Sequence, residues 1–172
     1  IPEAINKEKS LFINEGGYGI KGADGAATIL DFCEKENYTH FCCAVGTGTM
    51  LAGLIKSTCI QQQITGISVL KNNMTLATNV QSLLTERTDN FQIIHDYHFG
   101  GYAKHKPELM AFMNTFYQQT QIPSDFVYTG KLFYAVTNLI KNDFFKQGTR
   151  LLIIHSGGLQ GNSSLSKGTL IF

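Results

Sequence analysis

The sequence lacks tryptophan and lacks the features that mark nucleic-acid-binding or membrane proteins. Its 14 lysine and arginine residues nearly balance 13 aspartate and glutamate residues, and like charges form no run. A nucleic-acid-binding surface needs a concentrated basic face, which this composition does not supply. No apolar stretch reaches the roughly 18 residues that a membrane-spanning helix requires. We therefore predict a soluble protein with neither nucleic-acid nor membrane partners.

The N-terminus also lacks a recognisable targeting signal. No basic segment is followed by an apolar one, so the cytoplasm is the expected location. The chain begins at Ile1 instead of methionine and continues directly into Pro2, Glu3 and Ala4. We expect from this a processed or truncated product of a longer protein.

Cysteine is scarce, and its spacing gives no metal site. Cys33, Cys42, Cys43 and Cys59 form no CxxC pair, and no histidine stands at zinc-ligand spacing from them. Cys42 and Cys43 lie in an apolar run, where a free cysteine behaves as a small hydrophobic residue. We predict buried, reduced thiols and no bound metal.

Three histidines within a short window could suggest a different metal site. His95, His98 and His105 straddle the end of a predicted strand and the loop after it, with Asp96 as the nearby carboxylate. A metal site needs ligands that converge and partners that orient them. This spacing favours solvated or capped histidines.

What the sequence does contain is an alternation of short apolar runs with longer helical patterns. Such alternation is typical of βαβ units and a mostly parallel sheet. A length of 172 residues, 43% hydrophobic and 16% charged, suits one folded α/β domain over residues 1–172, with helices on both faces of a parallel-rich sheet. The pattern predicts strands at 10–14, 40–45, 64–70, 91–95 and 150–155, and helices at 22–37, 50–56, 74–88, 107–119 and 132–145.

The strongest local signal is a glycine-rich turn between a buried strand and a helix. It consists of Val45, Gly46, Thr47, Gly48 and Thr49. Such a turn directs several backbone N–H groups and the helix dipole to one point, which suits a dianionic phosphate. Its spacing matches neither a Walker loop nor GxGxxG. Taken alone, it fits either a phosphate site or an ordinary strand-to-helix turn.

Two other site classes are disfavoured. A nucleotide-binding Rossmann domain would place an acidic residue after the second strand, and none ends the strand predicted at 64–70. Ser156 precedes two glycines but lacks the Gly-x-Ser-x-Gly elbow of a hydrolase nucleophile.

Several segments, taken in order, resemble one enzyme family. The sequence is similar to the aminocyclopropane-carboxylate deaminase and D-cysteine desulfhydrase family, which are fold-type II pyridoxal-phosphate (PLP) enzymes. The resemblance covers most of the chain and implies the C-terminal portion of such an enzyme. The matching segments are FINEGG at 12–17, GADG at 22–25, VGTGT at 45–49, GGY at 100–102, FVYTGK at 126–131 and IHSGG at 154–158.

The resemblance implies a role for each matching position. Residues 45–49 would hold the PLP phosphate through main-chain N–H groups and threonine hydroxyls, and Ser156 would line the same pocket. Thr129 would face the pyridine nitrogen, where deaminase-type members carry glutamate and desulfhydrase-type members threonine. A neutral hydroxyl makes a weaker electron sink, which favours β-elimination over ring opening.

Tyr102 and Tyr128 match the two active-site tyrosines of the family, which lie near the substrate and act in proton transfer or orientation. Without the resemblance, a tyrosine at the end of a strand or helix is more often a half-buried packing residue.

The family's Schiff-base lysine lies in an N-terminal segment that does not appear in this sequence. Lys131 is two residues beyond Thr129, and we interpret it as a structural or solvated residue. The resemblance implies a parent enzyme that is a homodimer, binds PLP and acts on a small amino acid. We expect the chain by itself to be inactive and to expose apolar surface. The alternative is a non-catalytic α/β domain that binds a phosphate-bearing ligand through the same turn.

Overall fold

The fold is built on a parallel sheet, as predicted. The computed structural model describes residues 12–172. Its four strands run in the order β3-β2-β1-β4, and every pairing is parallel. The strands are β1 (His40–Val45), β2 (Gln63–Ser68), β3 (Phe91–Ile94) and β4 (Leu151–Ile153).

Five α-helices connect the strands within the described residues. They are α1 (Ile20–Ala27), α2 (Thr49–Ser57), α3 (Leu76–Gln81), α4 (Pro107–Thr120) and α5 (Thr129–Lys141). Short 3₁₀ helices occur at Glu15–Gly17, Thr28–Phe32, Lys35–Asn37 and Leu159–Ser164. Pro107 occupies the start of α4, where its missing N–H breaks no helical hydrogen bond.

Three predicted elements differ from the structure. Residues 12–14 form no strand, and Ser10 and Leu11 lie outside the described residues. The helix predicted over 22–37 ends at Ala27 and continues only as 3₁₀ turns. The helix predicted over 74–88 is confined to α3, where polar side chains bond to nearby backbone groups and compete with helical hydrogen bonds; Ser82, for example, donates to the Asn79 carbonyl.

Helices cover both faces of the sheet, which confirms the predicted architecture. On one face, Phe41, Cys43 and Val45 of β1 pack with α1, α2 and α3. On the other face, Cys42 and Ala44 pack with α5. Alternate residues of a strand point to opposite faces, so this division follows from the apolar run of β1. A further apolar cluster joins α4 to the segment that precedes α5.

The cysteine prediction is correct for two residues. Cys42 and Cys43 are fully buried, and burial raises the pKa of the Cys42 thiol to about 12 and that of Cys43 as well. Cys59 is exposed and Cys33 half-buried, which corrects the prediction for these two. Cys59 lies in the turn after α2, outside the three apolar clusters of the described residues.

Within residues 12–172, no helix combines the length and the apolar character that crossing a bilayer requires.

The packing of α1 against α2 is unusually close because α2 contains a glycine at the crossing. A Cβ atom on Gly53 would lie 2.5 Å from the Ala26 Cβ and 2.6 Å from the Ala23 carbonyl oxygen. The two helices could not approach this closely with any larger residue at position 53.

We therefore predict opposite effects for two glycine-to-alanine substitutions in these helices. Gly53→Ala should lower the free energy of unfolding by about 1–3 kcal/mol, because the added methyl group forces the helices apart. Gly25→Ala in α1, where an added Cβ meets no atom within 4 Å, should raise it by about 0.5–1 kcal/mol. Urea denaturation of both variants measures the difference. Equal effects would contradict the close packing of α1 on α2.

Candidate functional site

A cleft opens at the carboxyl edge of the sheet, directly above the end of β1. Its volume is about 680 Å³. Ligand sites of open α/β sheets lie outside the carboxyl ends of the strands, so the position itself suggests a binding site. The lining comes from six separate parts of the chain. It comprises Glu15, Gly16, residues 44–51, Leu70, Tyr102, Tyr128 and residues 156–158.

The turn at 45–49 forms the floor of this cleft, where the sequence predicted it. Gly48 is the N-cap of α2 and adopts a left-handed conformation, with φ of 97°. No side chain caps the helix there, while the Thr47 and Thr49 hydroxyls lie 3.0 Å apart. The first N–H groups of a helix have no partner within it. These N–H groups and the two hydroxyls belong to residues that line the cleft, and such a donor set fits a phosphate group.

Close approach of the backbone explains the glycines of this turn. A Cβ atom on Gly48 would lie 2.7 Å from Val80 Cγ2 of α3. A Cβ atom on Gly46 would lie 3.4 Å from the Tyr128 ring, which lines the same cleft. A bulkier residue at either position would displace α3 or narrow the cleft, so the turn is shaped for an approach to its backbone.

Residues 15–17 lie next to the 45–49 turn, and the sequence did not indicate this contact. A Cβ atom on Gly16 would lie 2.8 Å from the Thr47 side chain. The Glu15 carboxylate lines the cleft beside the turn. The strand predicted at 10–14 ended before these residues; the structure forms a 3₁₀ turn at Glu15–Gly17, which lies at the carboxyl edge of the sheet.

Tyr102 and Tyr128 come together, as the family resemblance predicted for its two tyrosines. Their ring centroids lie 6.1 Å apart at an interplanar angle of 71°. Tyr102 is exposed, and Tyr128 is half-buried. Burial first, then Tyr102 and the carboxylates of Asp125 and Glu15, raises the pKa of Tyr128 to about 12. Tyr128 therefore keeps its proton at neutral pH and is a hydrogen-bond donor toward the cleft.

A buried carboxylate, which the sequence analysis missed, fixes Tyr128 in place. Oδ1 of Asp125 accepts hydrogen bonds from the backbone N–H groups of Val127 (2.9 Å) and Tyr128 (2.8 Å). Oδ2 accepts from the N–H (2.9 Å) and the hydroxyl (2.7 Å) of Thr129. The carboxylate thus satisfies the N–H groups at the start of α5. The sequence signal that could have identified Asp125 is an aspartate shortly before a helical pattern.

Thr129 has a different environment from the one predicted. Its side chain is fully buried and is not part of the cleft lining. Its hydroxyl group donates to Asp125 Oδ2 and accepts from the Asp125 N–H at 2.9 Å. Both hydrogen-bonding directions are therefore occupied within the protein. Contact between Thr129 and a pyridine nitrogen stays a prediction that these two hydrogen bonds do not favour.

Ser156 follows β4 and lines the same cleft as the 45–49 turn; its contact with a cofactor stays a prediction. The next residue, Gly157, donates its N–H to His155 Nδ1 at 3.0 Å. The turn continues to Gly158, where a Cβ atom would lie 3.7 Å from Asp125 Oδ2. The Ser156 hydroxyl is exposed and available to a ligand.

No lysine among residues 12–172 lines the cleft. Lys131 is fully buried, and its Nζ donates a hydrogen bond of 2.7 Å to the Gly101 carbonyl oxygen. Lys131 is therefore a structural residue, which was one of the two interpretations. The interpretation of Lys131 as a solvated residue is wrong, because the first turn of α5 packs against residues 98–104.

Two of the three clustered histidines make local contacts. His98 Nδ1 accepts a hydrogen bond from the Gly100 N–H at 2.9 Å, and the His105 ring packs edge-on against Phe126. Across the part of the chain that the structure describes, no three histidine, cysteine, aspartate or glutamate residues converge as metal ligands would.

The chain is similar to several archaeal and bacterial proteins named "Putative 1-aminocyclopropane-1-carboxylate deaminase". The protein from Pyrococcus furiosus is 30% identical over 136 residues, which cover 73% of this chain and 41% of that protein. Those from Pyrococcus horikoshii and Thermotoga maritima are 29% and 26% identical, and the matches cover 94% and 90% of this chain. They cover 54% and 53% of those proteins, so the chain spans about half the length of these relatives.

The fold is similar to a known structure. A crystal structure described as that of an "ACC deaminase homologue" superposes with a TM-score of 0.74 at 25% identity, covering 87% of this chain and 50% of that one. No protein-family model matches the chain. The similarity in sequence and in fold confirms the family predicted from the ordered motifs.

We predict that the Asp125 carboxylate is essential to the stability of this site. Asp125→Ala should lower the free energy of unfolding by about 3 kcal/mol or more, because buried N–H groups lose their acceptors. Asp125→Asn, which keeps one oxygen, should lie between Asp125→Ala and the unmodified chain. Asp31→Ala removes an exposed carboxylate and should change stability by less than about 0.5 kcal/mol. Denaturation curves that rank Asp125→Ala with Asp31→Ala would contradict this assignment.

Proposed function

We propose that this chain, a relative of the aminocyclopropane-carboxylate deaminase family, supplies the C-terminal cofactor-binding portion of a PLP-dependent enzyme acting on a small amino acid. The convergence of the 45–49 turn, Tyr102, Tyr128 and Ser156 on one cleft carries this proposal. These residues come from segments far apart in the sequence, and the family resemblance had given each of them a role at the same site.

The 45–49 turn is the phosphate-binding element in this proposal. Backbone N–H groups at the start of α2 and the hydroxyls of Thr47 and Thr49 would hold the phosphate, aided by the helix dipole. Ser156 adds a hydroxyl on the opposite side of the cleft. When bound, PLP would supply an electron sink for the α-carbon of the amino acid. The protein's own contribution is to bind, to orient and to exclude water.

The two tyrosines would act in proton transfer or in orienting the substrate. Because its pKa is raised to about 12, Tyr128 holds its proton and suits donation of a hydrogen bond to a group in the cleft. The Tyr102 hydroxyl is more exposed and would contact the outer part of the substrate. Fixing Tyr128 through the hydrogen bonds of Asp125 would keep its ring from moving between binding and reaction.

The substrate preference follows from the absence of a carboxylate at position 129. The relatives' names point to 1-aminocyclopropane-1-carboxylate, yet the resemblance places Thr129, which the structure buries against Asp125, at the position where ring-opening members carry glutamate. We therefore propose β-elimination from D-cysteine as the preferred reaction of the parent enzyme. A parent enzyme that turns over the cyclopropane substrate faster than D-cysteine would contradict this preference.

The chain should bind PLP through its phosphate. We expect saturable shifts of the amide resonances of residues 46–49 on titration with PLP, and competition by inorganic phosphate. Thr47→Val and Thr49→Val should each weaken binding roughly 5–10-fold, because each removes a hydrogen bond to a charged group. Thr58→Val, at the other end of α2, is the matched control and should leave binding unchanged. Equal losses in all three variants would exclude the turn as the phosphate site.

The 172 residues by themselves should form no specific covalent adduct with PLP. No lysine among residues 12–172 lines the cleft, and the resemblance places the Schiff-base lysine in a segment N-terminal to this one, so we expect that lysine to come from elsewhere. After incubation with PLP and borohydride reduction, mass spectrometry should show scattered, substoichiometric labelling of exposed lysines. One lysine modified stoichiometrically, together with breakdown of D-cysteine, would contradict the proposed inactivity of the isolated chain. Phosphate-dependent binding without any sign of amino-acid chemistry in the parent protein would favour a non-catalytic phosphate-binding domain.

A further inference from the structure

Lys131 occupies a position that is electrostatically unfavourable for an ammonium group. It lies in the first turn of α5, near the positive end of the helix dipole, and its side chain is fully buried. Burial removes the hydration of the charge, which lowers the pKa of Lys131 to about 8, although the nearby Asp125 carboxylate acts in the opposite direction. A buried lysine is retained only where the fold gives its amine a specific partner.

The partner is the carbonyl oxygen of Gly101, 2.7 Å from Lys131 Nζ. The same oxygen accepts a weaker hydrogen bond from the Lys104 N–H at 3.2 Å. Residues 98–104, here called the Tyr102 loop, are thus joined to α5 by the hydrogen bond from Lys131. A hydrogen bond from a charged donor is about twice as strong as a neutral one.

The backbone of the Tyr102 loop needs such an anchor because its conformation is strained. Two non-glycine residues have left-handed φ values, Phe99 at 53° and Ala103 at 49°, and both flank the glycine pair at 100 and 101. Strained conformations persist only when the surroundings impose them. The buried Phe99 ring, packed edge-on against Tyr134 at 4.9 Å, fixes one end of the loop. The Lys131 hydrogen bond fixes the middle.

We propose that Lys131 is a positioning residue, whose amine holds the Gly101 carbonyl and thereby keeps the Tyr102 ring against Tyr128 in the cleft. Tyr102 directly follows the anchored residue, so movement of the Gly101 carbonyl carries the Tyr102 ring with it. The geometry of the loop stands independently of any ligand. Its consequence for catalysis rests on the proposed function.

The anchor depends on pH because the amine loses its charge near pH 8. Below this pH the charge-assisted hydrogen bond is present; above it the neutral amine donates more weakly. The charged groups nearby are Asp125 before α5 and Lys71 and Lys106 around His98. Burial first, then Lys71, Lys131 and Lys106, lowers the pKa of His98, while the Asp96 carboxylate acts in the opposite direction, so the net shift favours the neutral imidazole. Lys131 is therefore the group facing the loop whose charge changes near pH 8.

Hydrogen exchange of the Tyr102 loop tests the proposal on the 172-residue chain without cofactor. Lys131→Met keeps the apolar stem but removes the amine, and should speed exchange of the Lys104 amide on the order of tenfold. The nuclear Overhauser contact between the Tyr102 and Tyr128 rings should disappear. Lys141→Met, at the exposed end of the same helix, is the matched control and should change neither.

A pH series on the unmodified chain gives a second, independent readout. After correction for intrinsic rates, exchange of the Lys104 amide should accelerate between pH 7 and 9, and this dependence should vanish in Lys131→Met. Exchange that is equal at both pH values would overturn the proposal, even if Lys131→Met fails to fold. So would a folded Lys131→Met variant with unchanged loop exchange and ring contact. A loop that depends on Lys131 in a chain that binds no PLP would leave the positioning role standing and reject the proposed function.

Discussion

The buried strand β1 is the constraint on which the rest of this structure depends. All six of its residues are buried, and it pairs with β2 on one side and β4 on the other. Its alternating side chains therefore supply the inner surface of both helical layers. Because the strand cannot shift without exposing one of these faces, it fixes the point at which the 45–49 turn emerges. The cleft, the helix dipole of α2 and the glycine turn all follow from that point.

Elements governed by local pattern could be predicted from the sequence, and elements governed by distant contacts could not. The apolar run at 40–45 matches β1 residue for residue, and Pro107 correctly indicated the start of α4. The helix predicted over 22–37 failed after Ala27, where the apolar spacing continues but the backbone tightens into 3₁₀ turns. Apolar periodicity reports which face is buried, and it does not distinguish one continuous helix from shorter turns on the same face.

For the side chains of the site as well, residues in local motifs could be recognised from the sequence, whereas contacts between distant residues could not. The glycine turn, Tyr102, Tyr128 and Ser156 were found because each lies in a short motif whose order matches the family. The buried Asp125 carboxylate and the Lys131 hydrogen bond to Gly101 were missed or left open, since their partners are defined only by folding. The hydrogen bond between Thr129 and Asp125 was likewise not apparent from the sequence, and contact of Thr129 with a pyridine nitrogen stays a prediction. Motifs place residues at a site, whereas the hydrogen bonds around them decide what each residue is free to do.

We propose that the carboxyl edge of β1 holds the phosphate of PLP. A crystal structure of the chain soaked with PLP would show whether the phosphate lies there. We expect the phosphate within hydrogen-bonding distance, about 2.7–3.2 Å, of the backbone N–H groups at residues 47–49, with the ring directed toward Tyr128 and Ser156. Phosphate density at a different surface, or only water at the 45–49 turn under saturating PLP, would contradict the account.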